Sequence, residues 1–240
     1  MFLYLIRHAQ STNNALPLTQ RVQDPPLTAL GLEQAATLAQ HLADAVDRER
    51  AVNGRGRTGY SLTRLYCSAM GRALQTAQFV GQALDLKPEV WVDIHEQGGI
   101  FLDHGEAGGA VGYPGKTRAE ILAEFPHFSL PENVTEEGWW NRGYEDWPTC
   151  QGRAIKVAQQ LQSWAAEAHQ AGRSERLALV THGGFLDALL KALTSQLPSR
   201  HLYYGHYNTG ITCLEFRADG RLFFYYLNRI EHLPPELISY

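Results

Sequence analysis

The stretch LYLIRHAQSTNN, residues 3–14, decides how this chain reads. Residues 3–6 are an apolar run of strand length, and they stop against a fixed cation and a titratable ring, Arg7 and His8. Such a pair is costly to bury among apolar side chains, so it belongs at the tip of the first strand. Two later stretches repeat the pattern. LTRLYCS (62–68) reads as a second strand, and the following SAMGR (68–72) sets Arg72 in the first turn of a helix, MGRALQTAQFVGQAL. RLALVT (176–181) is another strand, ending on His182, Gly183 and Gly184 immediately before a helix over about 185–193.

Between these junctions the chain alternates. Thr28 is placed to cap a helix after Pro25 and Pro26, with Leu38, Leu42 and Val46 at helical spacing. DRERAVNGRGRTGYS (47–61) is a polar, glycine-bearing loop, and EVWVDI (89–94) reads as a third strand. A helix is expected over about 152–169. GITCLEFRADGRLFFYYLN (210–228) reads as two strands joined at Asp219-Gly220. Strands alternating with helices predict an α/β fold: a three-layer α/β/α sandwich with a mostly parallel central sheet. A single domain over 1–240 is expected, with an insertion at about 95–149 covering the active-site edge. That insertion is glycine-rich, holds one short helix at RAEILAEF, and otherwise has no sustained period.

In parallel sheets ligands bind beyond the carboxyl ends of the strands. Three junctions therefore carry two arginines and two histidines to one edge, together with helix N-terminal amides that favour anions. Guanidinium groups grip paired oxygens, so the set suits a phosphoryl group. The rest of the composition excludes other classes. Hydrophobic residues make up 44% and charged residues 19%, and the net charge is −4. With a pI near 6.2, a broad nucleic-acid or anionic-membrane surface is not expected. No apolar run is long enough to span a bilayer, and MFLYLI is too short for a signal-peptide core. Cys67, Cys150 and Cys213 form neither an even framework nor a C-x-x-C pair, which points to a reduced, cytoplasmic protein.

LIRHAQST, SAMGRALQTA and LVTHGG together resemble the histidine phosphatase superfamily, which includes the phosphoglycerate mutases, in order and in spacing over about residues 3–212. LTALGLEQA, YNTGIT, and Asn14 six residues after His8 add to the resemblance. It implies that His8 is the nucleophile that becomes phosphorylated, with Arg7, Asn14, Arg72, His182 and Gly183 around the phosphate. Ala9 departs from the family's glycine, and its methyl is tolerable if φ stays negative. The pairing of Arg7 with His8 then has a chemical reason: neighbouring cations keep the imidazole neutral for attack and neutralise the phosphoryl oxygens in transit.

Transfer to His8 needs a proton donor for the leaving oxygen and a base for water. The insertion offers Asp93, Glu96, Asp103 and Glu106. The resemblance points to Glu96, in DIHEQGG, with Glu106 as its rival. His95 and His104 are expected at the surface or the substrate rim. Trp139, Trp140, Tyr144 and Trp147 either pack the insertion on the core or shape a substrate mouth. AVGYPGKT (110–117) nearly spells a nucleotide-binding loop but has Ala110 where the first glycine belongs. The histidines show no paired metal-ligand spacing. The expectation is a metal-independent, cofactor-free phosphatase acting on a small phosphorylated substrate through His8. A mutase-type phosphoryl transfer and a non-catalytic phospho-ligand module are the alternatives. Substrate identity and oligomeric state are not legible.

Overall fold

The computed structural model describes residues 1–44, 60–106, 108–199 and 201–240. In chain order these form β1 (Phe2–Arg7), α1 (Thr12–Ala15), α2 (Ala29–Asp44), β2 (Arg64–Cys67), α3 (Gly71–Leu84) and β3 (Glu89–Val90). Then come β4 (Phe101–Asp103), β5 (Ala110–Gly112), α4 (Arg118–Glu124), α5 (Trp147–Gln170), β6 (Arg176–Thr181), α6 (Gly183–Leu193), β7 (Ile211–Phe216) and β8 (Leu222–Arg229). The central sheet runs β3-β2-β6-β1-β7-β8. β1, β2, β3 and β6 are parallel, while β7 and β8 extend the sheet antiparallel.

The period of two along a strand sorts the core into its two halves. On β1, Phe2, Tyr4 and Ile6 face the cluster made with α2 and α3, including Leu38, Leu42, Leu74 and Val80. Leu3 and Leu5 face the other cluster, made with α5 and α6 through Val157, Leu161, Phe185 and Leu189. β6 divides likewise, with Ala178 and Val180 on the first side and Leu177 and Leu179 on the second. Helices on both faces of a mainly parallel sheet give the expected three layers.

Two element assignments change. EVWVDI pairs only at Glu89 and Val90, opposite Tyr66 and Cys67, and Val92–Ile94 winds into a 3-10 turn. β2 ends at Cys67, so the chain beyond Trp91 has no neighbour to extend a ladder and it turns. α5 begins at Trp147, not 152, because Asp146 caps it, accepting from Thr149 N at 2.9 Å, and Pro148 sits in its first turn. Thr28 caps α2 as expected, accepting from Gly31 N at 3.0 Å. Val46 and nearly all of the 47–61 loop lie outside the described residues. No described helix is long and apolar enough to cross a membrane. The three cysteines are buried.

The insertion builds a small β4–β5 hairpin and then α4. It shares the main core through Ile121, Phe125, Phe128, Val134, Trp139 and Trp140. The tryptophan pair therefore packs the insertion down, while Tyr144 stays exposed.

Candidate active site

The parallel register brings the three junctions together. His8 N donates to Thr181 O at 2.9 Å, and Ser68 N donates to Val180 O at 3.0 Å, so the ends of β1, β6 and β2 lie side by side. Around His8 the hydrogen bonds fix a tautomer. Its Nδ1 lies 2.7 Å from Ala9 O, a group that can only accept, so Nδ1 carries the proton. Nε2 then holds the lone pair, and Arg72 Nε donates to it at 3.1 Å. Burial, then the charges of Arg72 and Arg7, push His8 well below its ordinary value of 6.5, so the ring is neutral. Ala9 does not have a positive φ, and its N–H donates to Thr76 Oγ1 at 3.1 Å. The methyl is accommodated.

His182 stands at the N-cap of α6, its ring centroid 5.0 Å from that of His8. Its Nε2 is 2.8 Å from Ser68 Oγ. Its buried Nδ1 has no hydrogen-bond partner among the described residues. Burial, Arg72 and His8 push His182 well down as well. A Ser68 hydroxyl donating to Nε2 leaves Nδ1–H as a donor facing no protein acceptor.

Glu96 reaches the same edge because the turn at Val92–Ile94 sends its loop back over α6. Its carboxylate accepts from Phe185 N at 2.9 Å and from Gly184 N at 3.2 Å. That arrangement suits an acid at a helix N-terminus. Gly183 lies against Arg7, whose Nε would be 3.5 Å from a Cβ built there. Glu106, by contrast, is exposed at the tip of the β4–β5 hairpin.

Arg7 is clamped from the C-terminal segment. Its Nη1 donates to His206 O at 2.5 Å, and its Cζ lies 4.9 Å from the Tyr240 ring centroid. The Tyr203 hydroxyl stands 3.7 Å from the same built Gly183 Cβ. Burial raises the Tyr203 phenol, and Glu96 raises it further. Asn208 Nδ2 donates to His8 O at 3.0 Å, and Thr209 N donates to Arg7 O at 3.1 Å. Both belong to the YNTGIT stretch.

Not every expected residue joins the cluster. The Asn14 carbonyl accepts from Ser11 N at 3.0 Å and Ser11 Oγ at 2.9 Å, closing the short α1. Among the described residues no hydrogen bond ties Asn14 to the arginines or histidines. His95 is buried rather than at the rim, whereas His104 is exposed and meets Tyr113 Oη at 3.2 Å. Asp24 was missed by sequence reasoning. It accepts from Gly71 N at 3.0 Å, and its charge supports that of Arg72. Only its place before Pro25 and Pro26, two residues without amide donors, hinted at a bend that could carry it there. Among the described residues no group of three or more His, Cys, Asp or Glu is gathered to hold a metal ion. A hollow of about 430 Å³ opens elsewhere, beside Tyr66, Trp91 and Trp164.

The model of the histidine phosphatase superfamily (branch 1) matches residues 3–228. A probable phosphoglycerate mutase of Proteus mirabilis is 31% identical over 81 residues, 34% of this chain and 31% of that protein. A phosphoserine phosphatase from Entamoeba histolytica, solved with phosphoserine, superposes with a TM-score of 0.57 at 20% identity, covering 97% of this chain and 99% of that one. A mycobacterial glucosyl-3-phosphoglycerate phosphatase gives 0.59 at 20% identity, over 95% and 98%. Bacillus stearothermophilus YhfR gives 0.59 at 24%, over 96% and 98%.

Proposed function

Because this chain belongs to the histidine phosphatase superfamily, we propose that it is a metal-independent phosphatase that cleaves a small phosphomonoester through a phosphohistidine on His8. The observation that carries this is the Nδ1–H to Ala9 O bond, which presents the Nε2 lone pair beside Arg72 in a neutral ring. In the first step Arg72 turns its N–H from Nε2 to a phosphoryl oxygen. Nε2 forms the bond to phosphorus as the bond to the ester oxygen breaks, and Glu96, protonated, gives its proton to that oxygen. Arg7, Arg72, the free His182 Nδ1–H and the α6 N-terminus at Gly183 hold the phosphoryl oxygens. In the second step the Glu96 carboxylate takes a proton from water, the new oxygen bonds phosphorus, and Nε2 leaves with its lone pair. The proton stays on Nδ1 throughout, donated to Ala9 O.

The phosphoserine and phosphoglycerate derivatives named for the neighbours suggest a substrate of similar size, a phosphorylated small metabolite. The test is rapid quench with labelled phosphomonoester. Wild type should hold an acid-labile, base-stable label, release inorganic phosphate, and keep its rate in a chelator. His8→Ala should hold no label and turn over at background. Label persisting on His8→Ala moves the nucleophile elsewhere. Phosphoryl return to 3-phosphoglycerate instead of water makes the protein a mutase.

A further inference from the structure

Glu96 sits on a loop, and the loop is gripped from behind. The grip is Arg153, buried on α5. Its Nε donates to Glu145 Oε1 at 2.9 Å and its Nη2 to Glu145 Oε2 at 2.6 Å. Its Nη1 donates to Asp93 O at 2.7 Å and to His95 O at 3.0 Å. These carbonyls lie three residues and one residue before Glu96. The guanidinium Cζ also lies 4.6 Å from the centroid of Phe185, the residue whose amide holds the Glu96 carboxylate. One rigid fork thus fixes both the stem of Glu96 and the helix end on which its carboxylate rests.

Glu145 completes the frame. Its N–H donates to Gly98 O at 3.2 Å, and its carbonyl accepts from Gln97 Nε2 at 2.6 Å. The loop after Glu96 is therefore pinned as firmly as the loop before it. His95 fills the space behind, its Nδ1 donating to Val92 O at 2.7 Å and its ring 4.9 Å from that of Trp140. A buried ion pair adds little net stability over apolar residues of the same volume. What it provides here is direction.

We infer that the Arg153–Glu145 pair is a positioning device for the proton donor, setting the Glu96 carboxyl against the leaving oxygen without touching substrate. The inference rests on the proposed role of Glu96. It also gives the insertion a part in the chemistry, since Glu145 comes from its far end.

Burst and steady-state rates with ethyl phosphate and p-nitrophenyl phosphate test it, in wild type, Glu96→Gln, Glu145→Gln, Arg153→Lys and the Glu96→Gln/Glu145→Gln double variant. Ethoxide needs a proton to leave, and nitrophenolate does not. Glu145→Gln and Arg153→Lys should lose about 10²-fold in kcat on ethyl phosphate, the scale of a misplaced catalytic group, with KM little changed. The nitrophenolate burst should stay near wild type. The double variant should be no slower than Glu96→Gln alone. Equal losses on both substrates, or losses that multiply in the double variant, overturn the inference. So does unfolding of Glu145→Gln, which keeps the side chain's size, because the pair would then be structural support. If Glu96→Gln itself shows no leaving-group dependence, the assignment of the acid fails. If it does and the pair's variants do not, only the positioning role fails.

Discussion

Arg72 touches His8 through a single 3.1 Å contact, and that contact makes the pH profile informative. Arg72 is the largest of the charges that lower the His8 value, after burial itself. Removing it takes away part of the depression, so the acid limb of kcat/KM in Arg72→Ala should move to higher pH. The plateau should fall by about 10²–10³-fold, the usual loss for one preorganised donor. An unmoved acid limb in rate profiles between pH 4 and 8 would show that His8 is not the group titrating. Arg7, His8, Arg72 and His182 could be located from sequence because each sits at a β-to-α junction, where topology alone fixes the edge it joins. Asp24, Ser68, Arg153 and Glu145 could not. Arg153 reaches Asp93 and His95 across the insertion, and nothing in its helical neighbourhood distinguishes it from a surface arginine. His95 was misjudged for the same reason, since the tryptophans that bury it lie far along the chain.

At the scale of elements, α2 presses on the loop that leaves β1. A Cβ built on Gly31 would fall 2.0 Å from Gln10 O, a backbone atom that cannot swing away. Gly31→Ala should therefore cost roughly 1–3 kcal/mol, the range for overpacking, although alanine is the better helix former. Chemical denaturation would measure it, and a neutral or stabilising result would mean that α2 slides freely on this loop. β6 was legible to its ends because both its faces are buried, which leaves an unbroken apolar run. β3 was not. EVWVDI has strand composition throughout, yet only a neighbouring strand decides where pairing stops, and β2 supplies partners for two residues. The start of α5 was hidden by its tryptophan and proline, which read as irregular chain until Asp146 is recognised as the cap.

Across the whole molecule, buried neutral histidines set the response to acid. Burial lowers His206 to about 4 and His232 to about 3, and it depresses His8, His95 and His182. Below pH 6.5 the unfolded chain binds protons that the native state refuses, so stability should fall as pH drops from there. The slope approaches about 1.4 kcal/mol per pH unit for each such histidine. Glu145 acts lower. Burial alone would raise its carboxyl, but the two hydrogen bonds and the charge of Arg153 outweigh that and hold it at about 2. Its contribution is full above the ordinary 4.5 and is lost as pH falls toward 2. Denaturant midpoints at pH 7.5, 6.5 and 5.5 check the histidine slope, and a flat series would refute it; the Glu145 loss is read in the same way between pH 4.5 and 3. The strand order has a further result, in time rather than in energy. β1 leaves the ribosome long before its partners, β6, with Phe2 opposite Arg176, and β7, with Phe2 opposite Glu215. At the usual pace of synthesis, about 5–20 residues per second, the apolar strand that carries His8 waits roughly ten to thirty seconds for a neighbour. Until then FLYLI is a sticky, unpaired segment within reach of chaperones, and His8 is made long before the strands that set it in place.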